Sequence, residues 1–150
     1  MNISSRSTDP FLAALTNPTE LARHKGRLAR SYLVVDKTGK VWPDPEAAYE
    51  AFKTGDTPRD ERVMARVIAA KLQQHPDLRE GIKERGGVAF LERCTHLVGV
   101  RNSRWEGCGR ESRFIRCLIA AYEEVEVGRK RNEATAFIYI HTSVKPQSHI

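Results

Sequence analysis

The stretch VWPDPEAAYEAFK, Val41 to Lys53, holds several groups that can move protons or attack carbon. Glu46 and Lys53 are seven residues apart. On a helix of about 3.6 residues per turn that step returns to within about 20° of the starting direction. Glu50 falls between them and Tyr49 lies alongside. Two readings fit. In one, Glu50 and Lys53 pair at i, i+3 on a solvated face, worth a few tenths of a kcal/mol. In the other, burial lowers the pKa of Lys53 beside carboxylates that move protons, which would make it a nucleophile or a proton carrier.

A second group of candidates lies in RWEGCGRES. Gly107 and Gly109 can let backbone N–H groups approach a ligand closely, and the helix that follows offers its positive end to an anion. Trp105 can stack on a base or sugar face. Glu106 can act as an acid or base or hold a ribose hydroxyl. The same residues also fit a plain turn with its Trp folded onto the core. Lys71 sits between Ile68 and Leu72, at the edge of an apolar stripe. Such a lysine ordinarily carries its ammonium out to water; aimed into a cleft, it would hold a phosphate or carboxylate. His96 has no partner at metal-ligand spacing and reads as a hydrogen-bonding structural residue. Cys94, Cys108 and Cys117 read as small buried residues, with only Cys108, in the loop, open to reaction.

The elements that must position these residues follow from local signals. Asp9 caps a short helix in DPFLAALT. Arg30–Asp36 reads as a strand, Gly39 as a turn, and KVW as the return arm of a hairpin. Asp44 before Pro45 opens a helix that runs to about Thr54 and stops at Gly55. A second helix starts near Thr57-Pro58 and runs to about Gln74, with Val63, Met64, Val67, Ile68 and Leu72 at helical spacing. His75-Pro76 breaks it, PDLREGIKERGG makes a third, and VAFLERC a fourth. HLVGVRNSRWEGCGR reads as a long glycine-containing loop. From Glu111 to about Val127, Phe114, Ile115, Leu118, Ile119, Tyr122 and Val125 form the longest amphipathic stripe. ATAFIYIHTSV reads as a final strand. The expectation is a helix-rich α+β single domain spanning all 150 residues.

Composition narrows the function classes. The chain is 40% apolar and 29% charged, an ordinary globular balance. No window approaches a membrane span, and the N-terminus lacks a basic segment followed by a long apolar one. Three cysteines without C-x-x-C spacing point to a reducing cytoplasm and to no structural zinc. Lys and Arg total 25 against 19 Asp and Glu, a net charge of +6 that favours anionic partners such as nucleotides or nucleic acid. The densest basic region, RNSRWEGCGRESRFIR, sets arginines around Trp105 and two glycines.

Taken in order, these segments resemble the NADAR superfamily, the NAD- and ADP-ribose-associated group that includes YbiA-like N-glycosidases. DPFLAALTNP resembles the family's early segment ending in a Ser/Thr-Asn pair, here Thr16-Asn17. KVWPDPEAAYEAFK resembles its signature and supplies Glu46, Tyr49 and Lys53. VMARVIAAKLQQHPDLREGI resembles the helix pair that carries Lys71, and RWEGCGRESRFIRCLIAAY the late Trp-Gly-rich loop and closing helix. The resemblance covers roughly residues 9–125. Three positions depart from it: Glu50 stands where many members carry Gln, Trp105-Glu106-Gly107 where the YbiA-like branch has Trp-Gly-Asp, and RESRF lacks that branch's Asn.

The resemblance implies a compact helix-rich α+β fold and cleavage of an N-glycosidic bond, without a metal or cofactor. The implied substrate is an ADP-ribosylated base, guanine in nucleic acid, or a phosphoribosylated riboflavin-pathway intermediate. The departures lean away from the riboflavin branch. On this expectation Lys53 is nucleophile or proton shuttle, Glu46 its acid/base partner, and Glu106 holds or activates the ribose side. Trp105 is an aromatic wall, and Lys71, Arg110 and the Gly107–Gly109 backbone hold phosphate. Asn17, Tyr49 and Glu50 complete the substrate contacts. A non-catalytic ADP-ribose or nucleic-acid binding module is the competing expectation, and a basic DNA-binding accessory protein the third.

Overall fold

The computed structural model describes residues 1–99 and 104–142, of which residues 131–142 are described by backbone alone. The described chain forms a helix-rich α+β single domain with two small antiparallel sheets. Two long helices are its centre. α4 (Thr57–Gln74) lays Met64, Ile68 and Leu72 against Ile115, Leu118 and Ile119 of α7 (Arg113–Thr142), all buried in one core. The apolar spacing read along both segments is the seam between them.

Around that seam sit shorter elements, each ended by a specific group. α1 (Pro10–Leu15) begins where the Asp9 carboxylate accepts the Phe11 amide at 2.9 Å. α2 (Thr19–His24) follows after Asn17-Pro18 and has no counterpart in the sequence reading. β1 (Val34–Val35) pairs with β2 (Val41–Trp42), so the hairpin stands, although only two residues of the expected Arg30–Asp36 strand pair. Asp36 closes its turn by accepting from the amides of Thr38 and Lys40 and from the Trp42 indole.

α3 (Pro45–Phe52) is capped by Asp44, whose carboxylate accepts the Ala47 amide at 2.9 Å. It ends two residues earlier than the sequence suggests, with Lys53 as its extended C-cap. The buried Asp60 carboxylate takes the amides of Thr54 and Gly55, which draws the chain out of the helix. α5 (Pro76–Glu84) and α6 (Val88–Arg93) lie where Pro76 and Gly86-Gly87 place them. β3 (Thr95–His96) pairs with β4 (Gly107–Cys108), and Asn2 lies parallel to Thr95 on the other side. A 3-10 turn at Gly109–Glu111 then leads into α7.

The expected final strand is corrected. Ala134–Thr142 continues α7 as helix. A strand needs an edge to pair with, whereas a helix already running needs only its own preceding turn. The rest of that expected strand, and Val100–Ser103 of the expected loop, lie outside the described residues. Among the described residues no helix is long and apolar enough to cross a membrane.

Candidate active site

A cleft of about 770 Å³ opens between the N-terminal segment, the start of α2, the first turn of α3 and the end of β3. Ser4, Ser5, Thr16, Lys25, Glu46 and His96 are among its lining residues. Its walls are tied by backbone. The Ile3 amide donates to the Thr95 carbonyl at 2.8 Å, and the Asn2 side chain bonds Leu97 through both its amide nitrogen and its oxygen. The Glu46 amide donates to the Asn17 carbonyl at 3.3 Å, which joins the α1–α2 corner to α3.

Glu46 is the cleft's carboxyl. It stands in the first turn of α3, where the helix's positive end normally favours the anion. Here it is half-buried, and burial, then Glu50 one turn on, then Asp44, oppose ionisation. Those effects win over the dipole and over Lys53, and raise the carboxyl to about 7. A group poised there can give a proton and take one back at neutral pH.

His96 lines the same cleft. Its ring stacks on Phe114 with centroids 4.3 Å apart, and Nδ1 lies 2.8 Å from the Ile3 carbonyl. That partner makes Nδ1 the protonated nitrogen, which leaves Nε2 as an acceptor in the neutral ring. Burial holds the imidazole below its ordinary range, against the pull of Ile3 and of the Glu106 carboxylate. The structural role read from sequence is present, and the ring is also part of the cleft wall. Glu106 acts on the ring electrostatically and is not among the residues that line the cleft.

Lys53 stands differently. Its Nζ lies 2.5 Å from Glu50 Oε2, and the two side chains are 45% and 50% exposed. Its pKa is raised, chiefly by the hydrogen bond to Glu50. This is the solvated i, i+3 pair. An amine that attacks a sugar aldehyde must be unprotonated, and this environment keeps it protonated. The desolvated lysine is Lys71, only 1% exposed. Its Nζ donates to the Ala14 carbonyl at 2.5 Å and the Thr16 carbonyl at 2.6 Å. Burial pulls its ammonium down to about 7, against the attraction of Asp44 and Asp77. Lys71 neither reaches water nor lines the cleft; it holds the end of α1.

Tyr49 and Trp105, far apart in sequence, meet edge to face with centroids 5.8 Å apart. Arg104 holds that contact in place: it donates to Thr57 Oγ1 at 2.6 Å, lies 3.5 Å from Asp60, and stands over the Trp105 ring. The two loop glycines serve close packing. A Cβ on Gly107 would stand 2.8 Å from the Ser112 nitrogen, and one on Gly109 2.5 Å from the Glu92 carbonyl. The Gly109 N–H is already donated to the Cys94 carbonyl. The exposed Arg110 pairs with Glu92 at 3.3 Å. Asn17 is buried beside Met64, with its Oδ1 unpartnered.

Sequence reasoning missed the N-terminal wall. Ser4, Ser5, Arg6 and Lys25 carry no motif, and they join His96 only through pairing across more than ninety residues of chain. Among the described residues no group of three or more His, Cys, Asp or Glu side chains has the geometry to hold a metal. Compared with protein-family models, curated proteins and solved structures, the chain has no significant match to any of them.

Proposed function

We propose that this chain is an N-glycosidase of the NADAR type that releases a base from an ADP-ribosylated or related ribosyl-phosphate substrate in the cytoplasm. The observation that carries this reading is Glu46: a half-buried carboxyl, raised to about 7, at the wall of a cleft large enough for a nucleotide. In the reaction the C1′–N bond breaks and the base leaves with the bonding electrons. The protonated Glu46 supplies the leaving base's proton. The oxocarbenium-like sugar is stabilised by the carboxylate so formed. Water then adds to C1′ and returns a proton to Glu46. His96 Nε2 accepts from the ribose at the cleft wall, and Glu106 acts through the His96 ring. The sequence-based choice between an attacking and a proton-moving Lys53 tips toward neither: as a charged ammonium beside Glu50, it acts on the α3 carboxylates electrostatically.

Incubation with an ADP-ribosylated guanine oligonucleotide and, separately, a phosphoribosyl pyrimidine tests the reading, with released base followed by mass spectrometry. Glu46→Gln is expected to lower release by about 10²–10⁴-fold. Full activity in that variant sinks the assignment. Borohydride is expected to trap no adduct at Lys53. The solvation of Lys53 and the internally used loop glycines favour one competing reading, a non-catalytic ADP-ribose module. Tight ADP-ribose binding without base release in either incubation would establish that reading instead.

A further inference from the structure

Two chemically different groups line the cleft. Glu46 and Thr16 stand at the α1–α2 corner joined to α3, and Ser5, Arg6 and Lys25 form a second, cationic group. Around Ser5 and Arg6 the chain folds back on itself. The Ser7 amide donates to the Ser4 carbonyl at 3.1 Å, the Arg6 amide to Ser4 Oγ at 3.1 Å, and the Ser4 amide to Ser7 Oγ at 3.2 Å. These bonds make a tight turn that leaves the Arg6 side chain exposed. Among the described residues Arg6 has no carboxylate partner. Lys25 is likewise held by no carboxylate; its Nζ donates to Ser5 Oγ at 3.1 Å. Two cations and a hydroxyl thus line one cleft, and among the described residues neither cation is paired with a carboxylate. On the Glu46 side, Thr16 is 1% exposed and its hydroxyl has no hydrogen-bond partner among the described residues. A buried hydroxyl left unpaired costs about 1–3 kcal/mol, which a ligand oxygen would offset.

We propose that Ser5, Arg6 and Lys25 form the phosphate-binding group of this cleft, with the Thr16 hydroxyl donating to an oxygen of the attached ribose. The proposal rests on the active-site reading above and replaces Lys71, Arg110 and the loop glycines as the phosphate contacts. Two cations in one cleft suit the diphosphate of an ADP-ribosyl group better than a single ester. The sugar is then carried toward Glu46.

The test is calorimetric titration of the full chain with ADP-ribose, ribose 5-phosphate and ribose. Arg6→Ala and Lys25→Ala are each expected to weaken ADP-ribose by about tenfold, and the double variant by about a hundredfold. The salt dependence of binding should become shallower. Lys83→Ala, an exposed cation on α5 away from the cleft, should bind as the parent does. All three positions are exposed, so thermal melts should be unchanged and loss of folding separable from loss of binding. If the double variant binds ADP-ribose as tightly as the parent, the subsite is overturned while the glycosidase reading stands. If the parent ignores ADP-ribose but binds ribose 5-phosphate through Arg6 and Lys25, the subsite stands and the ADP-ribosyl reading falls. Failure of the parent to bind either phosphate overturns the subsite.

Discussion

Lys53 and Lys71 are the same side chain in opposite surroundings. Lys53 caps the end of α3 in water, and its partner Glu50 raises its pKa. Lys71 sits in the last turn of α4, sealed by the core, and burial lowers its pKa to about 7. The lysine in the segment that looked catalytic is solvated; the one that looked ready to carry its charge to water is sealed. What separates them is the availability of acceptors. The final turn of α1 has carbonyls with no partner in their own helix, and Lys71 satisfies two of them, at Ala14 and Thr16. Its ammonium also complements the negative end of that helix. Lys71 is thus a positioning residue for the Thr16–Asn17 corner of the cleft.

The strongest way to break this contrast is Lys71→Ala. It leaves two buried carbonyls unpaired and a void in the seam, and should cost about 3–5 kcal/mol in urea unfolding. A cost below about 1 kcal/mol would mean that the buried clamp is not formed. Next in size is Gly109→Ala. Its φ of +53° and the 2.5 Å approach to Glu92 should cost about 2–3 kcal/mol. Gly39→Ala, with φ of +87° but open space around it, should cost about 1 kcal/mol, so the difference between the two measures the packing.

Glu46 gives a smaller, pH-dependent effect. Its folded pKa of about 7 lies above its ordinary value of 4.5, so the native state holds the extra proton between those limits. Its contribution to stability is therefore full below pH 4.5 and is lost as pH rises to about 7. Glu46→Gln should flatten this part of the profile and stabilise the protein by roughly 1 kcal/mol at pH 8. Lys71 acts in a separate window. Its folded pKa of about 7 lies below its ordinary 10.5, so stability rises with pH between those values. Chemical denaturation at several pH values separates the two. The smallest expected change is Lys53→Ala, whose urea-unfolding midpoint should match the parent's, as for other solvated pairs. A lower midpoint would place Lys53 in a less solvated setting than its pairing with Glu50 implies.

Much of the fold was legible because its signals are local. Asp9 and Asp44 each cap the helix they precede, with an amide of the first turn donating to the carboxylate. Apolar spacing marked both helices of the central seam, and Gly39 the hairpin. The short α2 was missed because it has no side-chain cap and begins after a proline-bearing corner. The final strand was misread because β-branched and aromatic residues report only that a segment can pair, while pairing needs a neighbouring edge. At the site, Glu46 was found through its helix. His96 entered as a structural residue, and the serines and cations facing it were not visible.

The sequence by itself determined where α3 begins, and hence that Glu46 occupies its first turn while Glu50 and Lys53 share a later face. It also determined the basic balance and the apolar seam. Only the tertiary structure decided which of those side chains lost water. Burial depends on what packs from elsewhere in the chain: β3 and the N-terminal segment build the cleft beside Glu46, and the end of α1 closes over Lys71. Spacing along a helix sets direction, and solvation sets the pKa. Direction is encoded within a few residues, whereas solvation is settled by neighbours brought from across the whole chain.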